Sequence, residues 1–195
     1  MSKVVIFKGS PRKNGYTTKL LDQVAKGVKS KGAEVIEFDL NDTGIRGCQG
    51  CFYCRTHDGC AINDYLQPMY KAIAEADAIV FGSPIYVFQI TGQAKIWLDR
   101  MFPMVEELPH TFIPRHPGKK LITIFAQGSL DPNKGAEAIK YVNNIFDVFG
   151  WKLKSCIHYC GNNDEMFEEL SLRAFKDGEN LVEKKFDLLK QSLNI

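Results

Sequence analysis

The chain opens without a long apolar run. Val4-Val5-Ile6-Phe7 is only four residues long, too short for the apolar core of a signal peptide or for a membrane span. The expected location is therefore the cytoplasm, with no membrane partner. An excess of one charge is also missing. Lys and Arg number 25 against 23 Asp and Glu, a formal net charge of +2. That balance gives no electrostatic footprint for nucleic acid or an anionic membrane surface. Internal repeats, low-complexity tracts and interdomain linkers are absent too, so residues 1–195 are expected to form one domain. At this size a core buries roughly 70% of the unfolded chain's surface, and no stabilising staple is needed.

What the chain does contain is an alternation of strand and helix patterns. Val4–Phe7 reads as a strand buried on both faces, and it breaks at Gly9-Ser10-Pro11. Leu20, Leu21, Val24 and Val28 follow at helical spacing, ended by Lys31-Gly32. Val35–Phe38 predicts strand two. Leu66, Met69, Tyr70 and Ile73 predict a helix with Pro68 in its first turn. Ala78–Phe81 predicts strand three, ending at Gly82-Ser83-Pro84, and Thr91 is placed to cap a helix through Ala94, Trp97, Leu98 and Met101. Residues 102–119, with four prolines and no clear period, read as a long functional loop, interface or lid. Leu121–Phe125 predicts strand four, Ile139 to Phe149 a helix, and Leu153–Tyr159 strand five. A last helical region runs from about 165 to 193, with an interruption near Gly178.

Such alternation implies a doubly wound α/β fold: five parallel strands in the order 2-1-3-4-5, with helices on both faces. Ligands in that architecture sit beyond the carboxyl ends of the strands, beside strand one. Loops 9–18, 82–91 and 127–135 leave strands at that edge. The first has anion-binding chemistry: a helix start with unpaired N–H groups, the hydroxyls of Ser10, Thr17 and Thr18, and the charged fork of Arg12. It carries neither the G-K-[ST] ending of a triphosphate loop nor the G-x-G-x-x-G spacing of a dinucleotide fold. The bland alternative is a capped helix behind a solvated basic loop.

Four of the six cysteines lie within thirteen residues, Cys48, Cys51, Cys54 and Cys60, spaced C-x2-C-x2-C-x5-C. In a reducing compartment such clustering leans toward metal or redox chemistry. A C-x2-C-x2-C run is a common ligand spacing for a 4Fe–4S cluster, whereas structural zinc sites usually separate two knuckles by a longer spacer. A redox disulfide, or free thiols in a turn of small residues, remain as alternatives. His57 lies inside the loop, either as an exposed residue or as a hydrogen-bond donor to a cluster. Cys156 and Cys160 read as small apolar residues of strand five.

The order G-S-P-R-x-x-G-x-T, then the four-cysteine spacing, then S-P-I-Y-V-F after strand three resembles the flavodoxin-like NADPH-dependent FMN reductase family, and within it the iron–sulfur flavoproteins. The likeness covers roughly residues 3–130. It implies that Ser10, Arg12, Thr17 and Thr18 hold an FMN phosphate. Backbone donation from Tyr16 is expected as well, although Tyr16 stands where family members commonly carry Asn. Ser83, Pro84, Ile85, Tyr86, Val87 and Phe88 would run along the flavin ring, with Tyr86 and Phe88 as its wall. Gln127, Gly128 and Ser129 stand where a loop at the pyrimidine edge is expected. Cys48, Cys51, Cys54 and Cys60 would hold the cluster. Lys95, Asp99 and Arg100 also recur in similar sequences and read as pairing on a helix surface. The implied activity is reduction of a small acceptor (a quinone, a nitro or azo compound, or flavin) by NAD(P)H or a reduced carrier through FMN. The alternative is an electron carrier fed by a ferredoxin through the cluster. A homodimer or homotetramer is implied, and no separate catalytic side chain is expected, because flavin hydride transfer needs no acid–base group.

Overall fold

Strands whose successive side chains are all apolar have no face for water and must be covered on both sides. The computed structural model, which describes residues 1–182, builds the chain on this rule. Five long parallel strands, β1 (Lys3–Lys8), β2 (Glu34–Asp39), β3 (Ala78–Tyr86), β7 (Lys120–Gln127) and β8 (Lys152–Cys160), form a sheet in the order β2-β1-β3-β7-β8. This is the doubly wound order expected. Along β1, Val4 and Ile6 enter one core while Val5 and Phe7 enter the other. The first core is closed by α1 (Tyr16–Ser30) and α5 (Asp164–Val182); the second by α2 (Gln67–Glu75), α3 (Gly92–Asp99) and α4 (Asn133–Val148). Trp97 of α3 anchors the second core, stacked on Phe81 at 5.0 Å between ring centroids and tilted against Phe7 at 4.5 Å.

Two helix boundaries follow the expected chemistry. Pro68 lies in the first turn of α2, where its missing N–H costs nothing. Thr91 caps α3, its hydroxyl accepting the Ala94 N–H at 3.2 Å. The same hydroxyl donates to the Gly9 carbonyl at 2.7 Å and so ties the cap to the end of β1.

Three expectations are corrected. Strand three does not end at Gly82 but runs on to Tyr86, where it turns back antiparallel into the short β4 (Gln89–Ile90). Residues 102–119 are not an unstructured loop: a 3-10 turn at Phe102–Met104 leads into a hairpin of β5 (Val105–Leu108) and β6 (Thr111–Pro114). The prolines mislead because Pro114 closes an edge strand, where its missing N–H is harmless. Gly178 does not interrupt α5; it is the contact point between α5 and α1. Residues 183–193 of the expected helix lie outside the described residues.

At that crossing a Cβ on Gly178 would strike the Val24 carbonyl, and one on Gly27 would strike the Phe175 carbonyl. Helix propensity alone favours Gly178→Ala by about 1 kcal/mol. Backbone overlap dominates, and the substitution is expected to destabilise by about 1–3 kcal/mol, read from the urea midpoint. A gain in stability would show that the helices separate freely.

Candidate functional site

The ends of β1 and β3 approach closely at the point where the strand order reverses. Gly9 N–H donates to the Gly82 carbonyl at 2.7 Å. A Cβ on Gly9 would stand 2.8 Å from that same oxygen, so any side chain there would force the strand ends apart. Above this pair the first loop folds around one atom. The Arg12 carbonyl accepts from Gly15 N–H (3.1 Å), Thr18 Oγ1 (2.9 Å) and Ser10 Oγ (3.3 Å), and Ser10 Oγ also accepts from Arg12 N–H. The N-cap residue of α1, Gly15, has no side chain with which to cap the helix, and the first turn carries no acidic residue. The first helical hydrogen bond here runs from Lys19 N–H to the Gly15 carbonyl. The N–H groups of Tyr16, Thr17 and Thr18 are therefore left without backbone partners at a positive helix end.

Tyr16 and Thr17 face a cleft of about 710 Å³, within the roughly 300–1,000 Å³ usual for cofactor sites. Ser10, Arg12, Tyr16 and Thr17 line it from the first loop. Pro84, Ile85 and Tyr86 line it from β3, and Gln127 and Gly128 from the end of β7. Three sequence-distant loops thus converge as expected. Five of the candidate residues stand differently. Thr18 serves the loop from behind through its bond to Arg12. Ser83 is fully buried; its hydroxyl donates to the Pro84 carbonyl and accepts from Thr91 N–H. Ser129 turns the following loop, its hydroxyl accepting from Asp131 N–H. Val87 and Phe88 form the tip of the β3–β4 hairpin and do not line the cleft. Both have positive φ, 47° and 62°, and they are 91% and 67% exposed. A two-residue turn of this hand favours Asn-Gly, and strain of about 1–3 kcal/mol per residue is usual when other types occupy it.

Tyr16 belongs as much to the last layer as to the first loop. Its hydroxyl donates to Asn162 Oδ1, and its ring packs on Tyr159 at 4.4 Å and Phe167 at 5.1 Å. Sequence reasoning missed Asn162 and Gly161 as lining residues, because no local motif marks the loop after β8. Gln127 is buried. Its Nε2 donates to the carbonyls of Ser129 and Asp131, while its Oε1 is buried without a partner.

The four-cysteine loop rises from the second edge of the same sheet end. Cys48 and Cys51 are exposed, Cys54 and Cys60 half-buried, and all four thiols are free. Left-handed backbone at Gly50, Phe52 and Gly59 curls the chain around them. Burial pushes the Cys54 thiol pKa up, and the nearby sulfurs of Cys60, Cys48 and Cys51 push it the same way. Thiolates are the donor type a cluster takes. Among the described residues no group of three His, Cys, Asp or Glu is close enough to enclose a metal ion. His57 stacks on Tyr53 at 3.9 Å, with Thr56 Oγ1 2.9 Å from its Nδ1. A second cleft, about 910 Å³, lies between this loop, α2 and the β5–β6 hairpin, with Arg55, Lys71, Arg115 and His116 on its walls.

Lys95 and Asp99 pair on the surface of α3 at 2.5 Å, as expected. Arg100 does not belong to that surface. Its side chain is 0% exposed and forms a two-point ion pair with Asp64, itself 4% exposed, at 2.7 and 3.2 Å. Sequence reasoning passed over Asp64 altogether, since its partner lies 36 residues away.

Fold and cleft together define the class: a flavodoxin-like α/β protein with a cleft between its first loop and the ends of β3 and β7, at the switch point of a parallel sheet. The comparison with known families is consistent with that geometry. Residues 2–156 match the NADPH-dependent FMN reductase family, and the chain belongs to that oxidoreductase family. It is 30% identical over 148 residues to an iron-sulfur flavoprotein of Archaeoglobus fulgidus, covering 76% of this chain and 64% of that one. It is 29% identical over 170 residues to an iron-sulfur flavoprotein of Clostridioides difficile, covering 85% and 71%. The chain thus spans less than two thirds of the first relative's length. Among solved structures it superposes on an NAD(P)H:quinone oxidoreductase from Methanothermobacter marburgensis with a TM-score of 0.72 at 18% identity, covering 92% and 98%. At that identity the likeness is one of fold. No helix among the described residues is long and apolar enough to cross a membrane.

Burial alone would raise the Asp64 pKa, but hydrogen bonds from Arg100 and from backbone N–H groups outweigh it and hold the carboxyl below its usual value. A depressed carboxylate contributes stability above its unfolded pKa of about 3.9 and loses it as pH falls through the folded value. Wild type is therefore expected to lose stability more steeply than Asp64→Asn below about pH 4. Urea midpoints measured across that range check this; parallel curves would disprove it.

Proposed function

We propose that the chain is an FMN-dependent oxidoreductase that takes electrons from NAD(P)H or a reduced carrier and passes them to a small acceptor, with a quinone, nitro or azo compound or free flavin as the acceptor class. The observation that carries this reading is the 710 Å³ cleft with unpaired α1 N–H groups at one end and Arg12 beside them. Family membership supports FMN as its occupant. When bound, FMN supplies hydride and single-electron transfer.

The chain's own residues divide the work. Arg12, Ser10 and the N–H groups of Tyr16, Thr17 and Thr18 neutralise the phosphate, and Thr18 keeps the loop in shape through the Arg12 carbonyl. Pro84, Ile85 and Tyr86 give the ring an apolar wall. Gln127 and Gly128 face its polar edge. Tyr16 and Asn162 close the phosphate end against water. The same reading expects a cytoplasmic homodimer or homotetramer.

A second reading is favoured by the four free thiols and by relatives named iron-sulfur flavoproteins. Here Cys48, Cys51, Cys54 and Cys60 would hold a 4Fe–4S cluster, whose chemistry is single-electron transfer, and the donor would be a ferredoxin. Steady-state oxidation of NAD(P)H separates the two: rapid turnover favours the reductase, and slow turnover with rapid reduction by reduced ferredoxin favours the carrier.

Charge-assisted hydrogen bonds are worth about 1.5–3 kcal/mol. Arg12→Ala is therefore expected to weaken FMN binding about 10- to 100-fold while leaving riboflavin, which lacks the phosphate, unaffected. Flavin fluorescence titration reads both. Equal loss for the two ligands would remove Arg12 from the phosphate, and no FMN binding by wild type would end the reading.

A further inference from the structure

Arg100 does more than neutralise Asp64. Its Nη1 donates to the Arg46 carbonyl at 2.8 Å and its Nη2 to the Ile62 carbonyl at 3.3 Å. Those two carbonyls flank the cysteine loop, two residues before Cys48 and two after Cys60. Asp64, four residues after Cys60, reaches back to the other end: its Oδ2 accepts from Arg46 N–H at 3.0 Å, while its Oδ1 accepts locally from Leu66 N–H at 3.0 Å. Tyr70 completes the arrangement, its hydroxyl accepting from Arg100 Nε at 3.3 Å and donating to the Arg100 carbonyl at 3.0 Å. Every edge of the guanidinium is thus in use, and both ends of an otherwise irregular, exposed loop meet on it.

A buried ion pair is weak evidence for stability, because apolar side chains of similar volume usually serve as well. What apolar residues cannot supply is a flat fork of five donors aimed in different directions. Lys95 and Asp99 on the same helix show the contrast, since their pairing is exposed and reaches no other element.

We propose that Arg100 is the positioning residue of the four-cysteine loop: oriented by Asp64 and Tyr70, it fastens Arg46 to Ile62 and so holds Cys60 against the Cys48–Cys54 segment. The tie fixes the base of the loop whether or not a metal is bound. The first readout below rests on the cluster reading, and the second does not.

The test uses FMN-loaded, anaerobically reconstituted wild type, Arg100→Lys and Tyr70→Phe, with Lys95→Gln as control. In the first readout, iron and sulfide per chain are expected to fall about 10- to 100-fold in Arg100→Lys at limiting iron. Bound FMN and cooperative unfolding should be kept. The second readout uses the metal-free chain and diamide. Two thiols give up their hydrogens to the diamide N=N bond, forming one disulfide and a hydrazine. Trypsin cuts after Arg46, Arg55 and Lys71, so a disulfide from Cys60 to Cys48, Cys51 or Cys54 joins two peptides that are otherwise separate. Joining is expected to slow about tenfold in Arg100→Lys, less in Tyr70→Phe, and not at all in Lys95→Gln. Equal joining in wild type and Arg100→Lys overturns the proposal. So does loss of FMN and of cooperative unfolding in step with joining, in Arg100→Lys and Tyr70→Phe alike, because that reports general collapse. A wild type without iron or sulfide whose joining still depends on Arg100 supports the proposal and overturns the cluster reading.

Discussion

Val4 and Ile6 press on one helical layer and Val5 and Phe7 on the other, which leaves β1 no face for water. The same holds for the middle of β3 and β7. A sheet buried in this way can show polar chemistry only at its ends, where strands give way to loops. The molecule's polar invention is concentrated there. Gly9, Ser10 and Arg12 follow β1, Pro84 to Tyr86 end β3, and Gln127 and Gly128 end β7. The bond between Gly9 and Gly82 holds the first two of these loops within reach of one ligand.

Two polar constructions share this edge and are built on opposite electrostatic principles. The cleft leaves groups unsatisfied: the N–H groups at the start of α1 and the Arg12 guanidinium await a partner. The base of the cysteine loop satisfies everything. Arg100 spends its donors on Asp64, Tyr70 and two carbonyls, so nothing remains for a ligand. Open valence fits a place where something binds, and closed valence fits a part that holds something else still. The exposed Val87-Phe88 tip beside the cleft adds a third device, a turn kept in a costly conformation by residues that neither pack nor cap.

Much of this was legible in the sequence because it depends on local period and punctuation. The apolar runs 4–7, 78–81 and 121–125 are strands, Thr91 is a cap, Pro68 is in a first turn, and the loop from Gly9 to Thr18 converges with those after β3 and β7. The misreadings have a common cause. Prolines at 103, 109, 114 and 117 suggested a loop, but an edge hairpin tolerates them. Gly178 suggested a break, but α1 needed a residue without a side chain at that contact. Val87 and Phe88 suggested residues along a flavin ring, Phe88 as part of its wall, but β3 continued and carried them past the cleft. In each case a neighbour distant in sequence decided what the residue was for.

By itself the sequence determined the kind of sheet, its strand order, the position of the loop between β1 and α1 and the spacing of the four thiols, because each follows from period, turn chemistry or residue count along the chain. The tertiary structure alone decided which residues face the cleft, that Tyr16 reaches across to Asn162, and that Arg100 is a buried tie and not a surface charge. Those depend on contacts between segments 36 to 146 residues apart, and such contacts leave no periodic trace in the chain that makes them.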